Sequence, residues 1–165
     1  MYAIETIGKP MLRKKFARDL YDSNDSKGKN AALDLFETTL GYKPLENSKE
    51  LYCDGDVLLE DNLGNPIMVE AEVKNVGWYN GDFRYSTLHF AYKPKTKSDW
   101  FVSFNGRCDR AFVCKGTDLI KDDNIIFKNT RNRHNGQSTE SEPFYEIKVQ
   151  DCQLFRKDKN VWISV

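Results

Sequence analysis

Glu70, Glu72 and Lys74 alternate through the run Pro66–Lys74 (PIMVEAEVK). In a strand, residues two apart share a face. Two carboxylates and an ammonium would therefore project from one side, with Val69, Ala71 and Val73 packed into the other. Asp54 and Asp56 share a face in the same way within Leu51–Glu60 (LYCDGDVLLE). If these two runs pair through the turn between them, Asp56 approaches Glu72. Carboxylates at neighbouring sheet positions repel one another. A divalent cation neutralises such an arrangement, and oxygen ligands with retained waters suit Mg²⁺, with Mn²⁺ as a substitute. Lys74, two residues beyond a metal-binding glutamate, could then contact a nonbridging phosphate oxygen or orient the attacking water. The chemistry is phosphodiester hydrolysis. A cation held there would acidify a water for in-line attack on phosphorus as the opposite P–O bond breaks, and cation and lysine would offset the charge that develops.

The elements that must hold these groups can be read from pattern. Asp61–Asn65 (DNLGN) is a five-residue turn with Asn and Gly between two strand-length apolar runs, a hairpin signal. Upstream, Pro10 to about Tyr21 reads as a helix with Leu12, Phe16 and Leu20 on one face. Tyr21–Asn30 (YDSNDSKGKN) reads as a polar loop. A second helix runs from about Lys29 to Leu40, its stripe made by Ala32, Leu33, Leu35, Phe36 and Leu40, with Gly41 as its stop. Downstream, Trp78–Asp82 (WYNGD) is a turn and Phe83–Tyr92 is read as a strand. Asp99–Phe104 and Arg110–Lys115 are clearer strands. Asn129–Glu142 contains almost nothing apolar and reads as an exposed loop, and Phe144–Val149 and Val161–Val165 as late edge strands. This order predicts an α/β or α+β sheet with helices packed on it.

Composition bounds the rest. The chain of 165 residues, 39% hydrophobic, suits one domain able to bury a core without disulfides. The 25 Lys+Arg balance 25 Asp+Glu, which excludes a uniformly basic nucleic-acid coat. No apolar run reaches the ~20 residues of a membrane helix, and Met1–Lys9 has no signal-peptide core, so a cytoplasmic protein is expected. Cys53, Cys108, Cys114 and Cys152 form no CxxC pair and read as reduced thiols rather than metal ligands.

The charge is balanced but segregated. Glu46, Glu50, Asp54, Asp56, Glu60, Asp61, Glu70 and Glu72 stand against Lys49 alone. Arg84, Lys93, Lys95, Lys97, Arg107, Arg110 and Lys115 then stand against Asp99 and Asp109, and Lys9, Arg13, Lys14, Lys15 and Arg18 open the chain. Carboxylates for a cation flanked by cations for a polyanion fit phosphodiester chemistry, although charge runs are commonly solvated faces.

Asp56, then 15 residues, then Glu72-Val73-Lys74, on two consecutive strands after an amphipathic helix, resembles the PD-(D/E)XK nuclease superfamily, which includes restriction endonucleases, Holliday-junction resolvases and some homing endonucleases. The resemblance covers roughly 29–115 of a single domain, 1–165. It implies a restriction-endonuclease-like mixed β-sheet flanked by helices and a Mg²⁺-dependent DNA endonuclease, compact like those of phages and mobile elements. It also implies Asp56 and Glu72 as metal ligands joined by the Val73 carbonyl, Lys74 as the catalytic lysine, and Glu37 as an acidic residue of the preceding helix. Asp54 or Glu70 could replace or assist Asp56. The chain departs from the family pattern at Gly55, where proline often precedes the aspartate, and in showing no second core helix after Lys74. One such site cuts one strand, so double-strand cleavage would need a homodimer or higher homo-oligomer.

Arg84, His89, Lys93, Lys95 and Lys97 follow, interleaved with Phe83, Tyr85, Phe90 and Tyr92. Phosphate contacts with stacking aromatics hold nucleic acid, so Arg84, Lys93, Lys95 and Lys97 are assigned to DNA. Each aromatic taken singly is better read as core. His89 could shuttle protons or be structural. The competing function is a non-catalytic nucleic-acid-binding or protein-interaction module.

Overall fold

The computed structural model describes residues 18–45, 56–93, 97–131 and 135–165, with side chains from residue 26 onward except at Asp56. Among the described residues a long helix, α1 (Arg18–Leu40), precedes β1 (Lys43–Pro44), β2 (Asp56–Glu60) and β3 (Pro66–Val73). Then come β4 (Trp78–Tyr79), β5 (Asp82–Phe83), β6 (Thr87–Ala91), β7 (Trp100–Phe104) and β8 (Arg110–Lys115). After the one-turn helix α2 (Gly116–Leu119) follow β9 (Ile125–Arg131), β10 (Ser138–Lys148), β11 (Gln153–Asp158) and β12 (Val161–Ser164).

Seven strands form a mixed sheet in the order β1-β2-β3-β7-β8-β11-β12, and three form a smaller antiparallel sheet in the order β6-β10-β9. The pleat divides the large sheet into two faces. Val57, Leu59, Val69, Ala71, Val102, Phe104, Ala111 and Val113 meet Ala31, Ala32, Leu35 and Phe36 of α1. On the other face, Phe101, Phe112 and Cys114 pack with Leu88, Phe90, Tyr145 and Ile147 of the small sheet. Helix, large sheet and small sheet are stacked in three layers, with a core on each side of the large sheet.

This corrects the expected fold class. The chain is β-rich, and among the described residues only one real helix flanks the sheet. The reason lies between β3 and β7, which run parallel and so need a crossover. A helix would usually make it. Here the β4–β5 hairpin and β6 do so, because Trp78–Ala91 is aromatic and turn-rich, with Asn80 and Gly81 both at positive φ (52° and 84°).

The β2–β3 hairpin forms as expected. Asp61 Oδ1 accepts the amides of Leu63 (2.9 Å) and Asn65 (2.8 Å), and Gly64 takes φ 84°. Leu51–Gly55, the rest of the expected first strand, lie outside the described residues. Three other expectations are corrected. Tyr21–Asn30 is not a loop but part of α1. Its glycine has a tertiary reason, since a Cβ on Gly28 would stand 3.2 Å from Val73 Cγ2. The proposed helix from Pro10 lies outside the described residues up to Ala17. Asn129–Glu142, read as a loop, supplies much of the β9–β10 hairpin, and β10 is the centre of its sheet rather than an edge. Val161–Ser164 is an edge strand, as expected. No helix among the described residues is long and apolar enough to cross a membrane.

Candidate active site where the two sheets meet

Glu70, Glu72 and Lys74 lie on the β3 side opposite α1, facing the small sheet. Val69, Ala71 and Val73 fix that orientation by packing toward the helix. The register differs from the expected one in a single respect. Asp56 stands directly opposite Glu70, so Glu72 is its diagonal neighbour, about 7–8 Å away along the ladder. The hairpin thus brings Asp56, Glu70 and Glu72 to one face. Asp54 lies outside the described residues.

Glu70 is only 4% exposed and is ion-paired with Lys93, which arrives from the loop after β6. Lys93, expected to hold DNA, is therefore engaged with the acidic strand. Glu72 has a different environment. Its Oε1 accepts the Ala91 amide at 3.3 Å, and Lys74 Nζ donates to the His89 carbonyl at 2.6 Å. β6 is one edge strand of the small sheet, so these two side chains satisfy backbone groups on its free edge. Glu72 Oε2 lies 3.1 Å from Lys74 Nζ, an ion contact along the strand face. That oxygen is buried and accepts no hydrogen bond among the described residues.

A buried carboxylate oxygen with unused acceptor capacity is what a hard cation takes. Among the described residues no three His, Cys, Asp or Glu side chains cluster closely enough to hold a metal ion, and the side chain of Asp56 is outside that description. The oxygen donors present on this face fit Mg²⁺ better than a soft or tetrahedral ion. Val73 could contribute only its backbone, because its side chain belongs to the helix face. Glu37 is not part of this site. It is exposed on α1, on the far side of the large sheet.

Around His89 the small sheet adds Glu146 and Lys128, which the sequence did not single out. His89 Nε2 is 2.7 Å from Glu146 Oε2, and His89 Nδ1 is 2.8 Å from Lys128 Nζ. An ammonium can only donate, so Nδ1 accepts and Nε2 carries the hydrogen given to Glu146. Burial pushes the Lys128 ammonium below the ordinary lysine range, and the nearby Lys74 charge pushes it further. A signal for this strand was present. Glu142, Phe144 and Glu146 alternate with Pro143, Tyr145 and Ile147, a half-buried strand with one polar face.

The remaining expected DNA contacts scatter. Arg84 lies over the Tyr79 ring at 4.2 Å on the β4–β5 side, Lys97 is exposed, and Lys95 lies outside the described residues. Phe90 is core, as expected for a single aromatic. No protein-family model, curated protein or solved structure matches this chain.

Proposed function

We propose that the protein is a metal-dependent nuclease that hydrolyses phosphodiester bonds at the Glu72–Lys74 face of β3. The observation that carries this reading is the paired placement of Glu72 and Lys74. They share one strand face in ion contact at 3.1 Å, with Glu72 Oε2 buried. Asp56 is on the adjacent strand of the same face.

Asp56 and Glu72 would hold Mg²⁺ or Mn²⁺, whose chemistry there is Lewis-acid stabilisation of charge on the phosphate. Glu70, tied to Lys93, is already compensated and so leaves Asp56 and Glu72 as the ligands. Lys74 is half-exposed, and its Nζ is within reach of the acidic face and of solvent. By exchanging the His89 carbonyl for a phosphate oxygen, it would offset charge that grows as the attacking water bonds to phosphorus. The interface with β6 shields one side of the pair, which strengthens these charges relative to open water.

A specific observation favours a second reading. Glu72 and Lys74 already have backbone partners on β6, so they could serve only as a clasp between sheets in a non-catalytic nucleic-acid-binding module.

One experiment separates the two. Supercoiled and branched DNA is incubated with the wild type, Asp56→Ala and Lys74→Ala in Mg²⁺ or Mn²⁺. The nuclease reading expects metal-dependent cutting that falls at least about 100-fold in both variants, a typical loss on removing a charge-stabilising group. Cutting by none of the three, or equal cutting by all, rejects it. Binding without cutting supports the module.

A further inference from the structure

Two ammonium groups from different sheets converge on one residue. Lys74 of the β3 end holds the His89 carbonyl, and Lys128 of β9 holds the His89 ring at Nδ1. The ring is fixed from its other side by Glu146 at 2.7 Å. Lys128 Nζ also lies 4.7 Å from the centre of the Phe144 ring. It makes no ion pair among the described residues. Glu142 and Glu146 attract it only from a distance, while Lys74 repels it. A half-buried cation without an ion pair, beside a second cation, is an unfavourable arrangement in the free protein. A shared anion relieves both costs together.

We propose that Lys128 is a second backbone-phosphate ligand, acting beside Lys74 on a nucleic-acid strand, with His89 and Glu146 positioning it. The inference deepens the nuclease reading and rests on its choice of a phosphodiester polymer as substrate. A polymer suits the geometry because the two cations come from separate sheets, which lets them take oxygens along a chain. Arg84, stacked on Tyr79, adds a planar cation elsewhere on the same side of the large sheet, where Trp78 and Phe83 pack on Phe112.

The test is binding, read separately from cutting. A fluorescein-labelled duplex is titrated by anisotropy with the full-length protein in Ca²⁺ across a salt series. Removing one phosphate contact should weaken binding roughly fivefold and lower the log–log salt slope by about 0.9. Lys128→Met and Lys128→Gln should both show this, Lys128→Arg should keep the wild-type slope, and Lys43→Met on the exposed β1 edge should change nothing. Circular dichroism checks that each variant is folded, and the two neutral variants guard against misfolding of either one. An unchanged slope in folded Lys128→Met or Lys128→Gln overturns the proposal, as does an equal loss in Lys43→Met or a wild type that binds no duplex. Displacement of the duplex by millimolar inorganic phosphate as readily as by unlabelled duplex would make this a free-phosphate site and overturn the backbone assignment. A wild type that binds with the expected Lys128 dependence but never cuts in Mg²⁺ upholds Lys128 and rejects the nuclease. Cutting with a Lys128-independent slope does the reverse.

Discussion

Asp56 and Glu70 face each other across the antiparallel β2–β3 ladder, two carboxylate residues at directly opposed positions. Glu70 is buried, and the charge that compensates it comes from outside the ladder, from Lys93. Removing that partner takes the Lys93 charge away from a carboxylate that water barely reaches. Lys93→Met is expected to destabilise the fold by about 2–3 kcal/mol, while Glu70→Gln with Lys93→Met recovers most of the loss. Urea denaturation of the two single variants and the double variant measures the coupling. Additive losses would show that the pair contributes nothing jointly.

Gly116 opens α2 directly beneath the loop that enters β7. A Cβ there would lie 1.9 Å from the Ser98 carbonyl oxygen, and the Gly116 amide donates to the Asp99 carbonyl at 2.7 Å. Both contacts are backbone, so neither side can yield by changing a rotamer. Gly116→Ala should cost about 1–3 kcal/mol, lowering the melting temperature by about 2–4 °C for each kcal/mol. A wild-type melting temperature in this variant would mean that the two segments do not pack this closely.

Asp61 carries the pH dependence of the hairpin turn. Its carboxylate is held below the ordinary 3.8 chiefly by the Asn65 amide, with Leu63 adding to the effect. A carboxyl whose folded pKa is depressed stabilises the fold above its unfolded pKa. That contribution is lost as pH falls through the folded value. The Leu63 and Asn65 amide resonances, followed from about pH 5 down to about pH 2, should shift together with a midpoint below 3.8. A midpoint at or above 3.8 removes Asp61 as the cap. Because the side chain is exposed, the global stability should change little over the same range.

The three thiols among the described residues should react in a fixed order. Cys114 is buried, and its pKa is pushed well up, first by a hydrogen bond with the Cys152 thiol and then by burial. Burial also raises Cys108. Cys152 is only partly buried and donates weakly to the Lys148 carbonyl. Since the thiolate is the nucleophile, iodoacetamide at mild alkaline pH should modify Cys152 about tenfold or more faster than Cys114 or Cys108. Peptide mass mapping over time reads the order. Early labelling of Cys114 would contradict it.

What the sequence disclosed followed local rules. The alternation from Met68 to Lys74 sorted the carboxylates from the apolar residues, and the Asp61–Asn65 turn placed the second strand beside the first. Both signals span fewer than ten residues. What it concealed depends on distant partners. Tyr21–Asn30 looks like a loop by composition, yet its Gly28 fits against Val73. Asn129–Glu142 looks solvated because the outer part of the β9–β10 hairpin is exposed, so its ladder forms without an apolar code. The exact partner of Asp56 depended on hairpin register, which shifted it by two residues from Glu72 to Glu70. Lys128 and His89, 39 residues apart, could meet only once β6 and β9 flanked β10.

The clasp between β3 and β6 gives the site a built-in reporter. Glu72 Oε1 has one lone-pair direction committed to the Ala91 amide. A cation or substrate that draws Glu72 away returns that amide to solvent. Deuterium uptake at Ala91 would then rise on loading, and the margin of a separate sheet would register events at the carboxylate without itself touching the ligand.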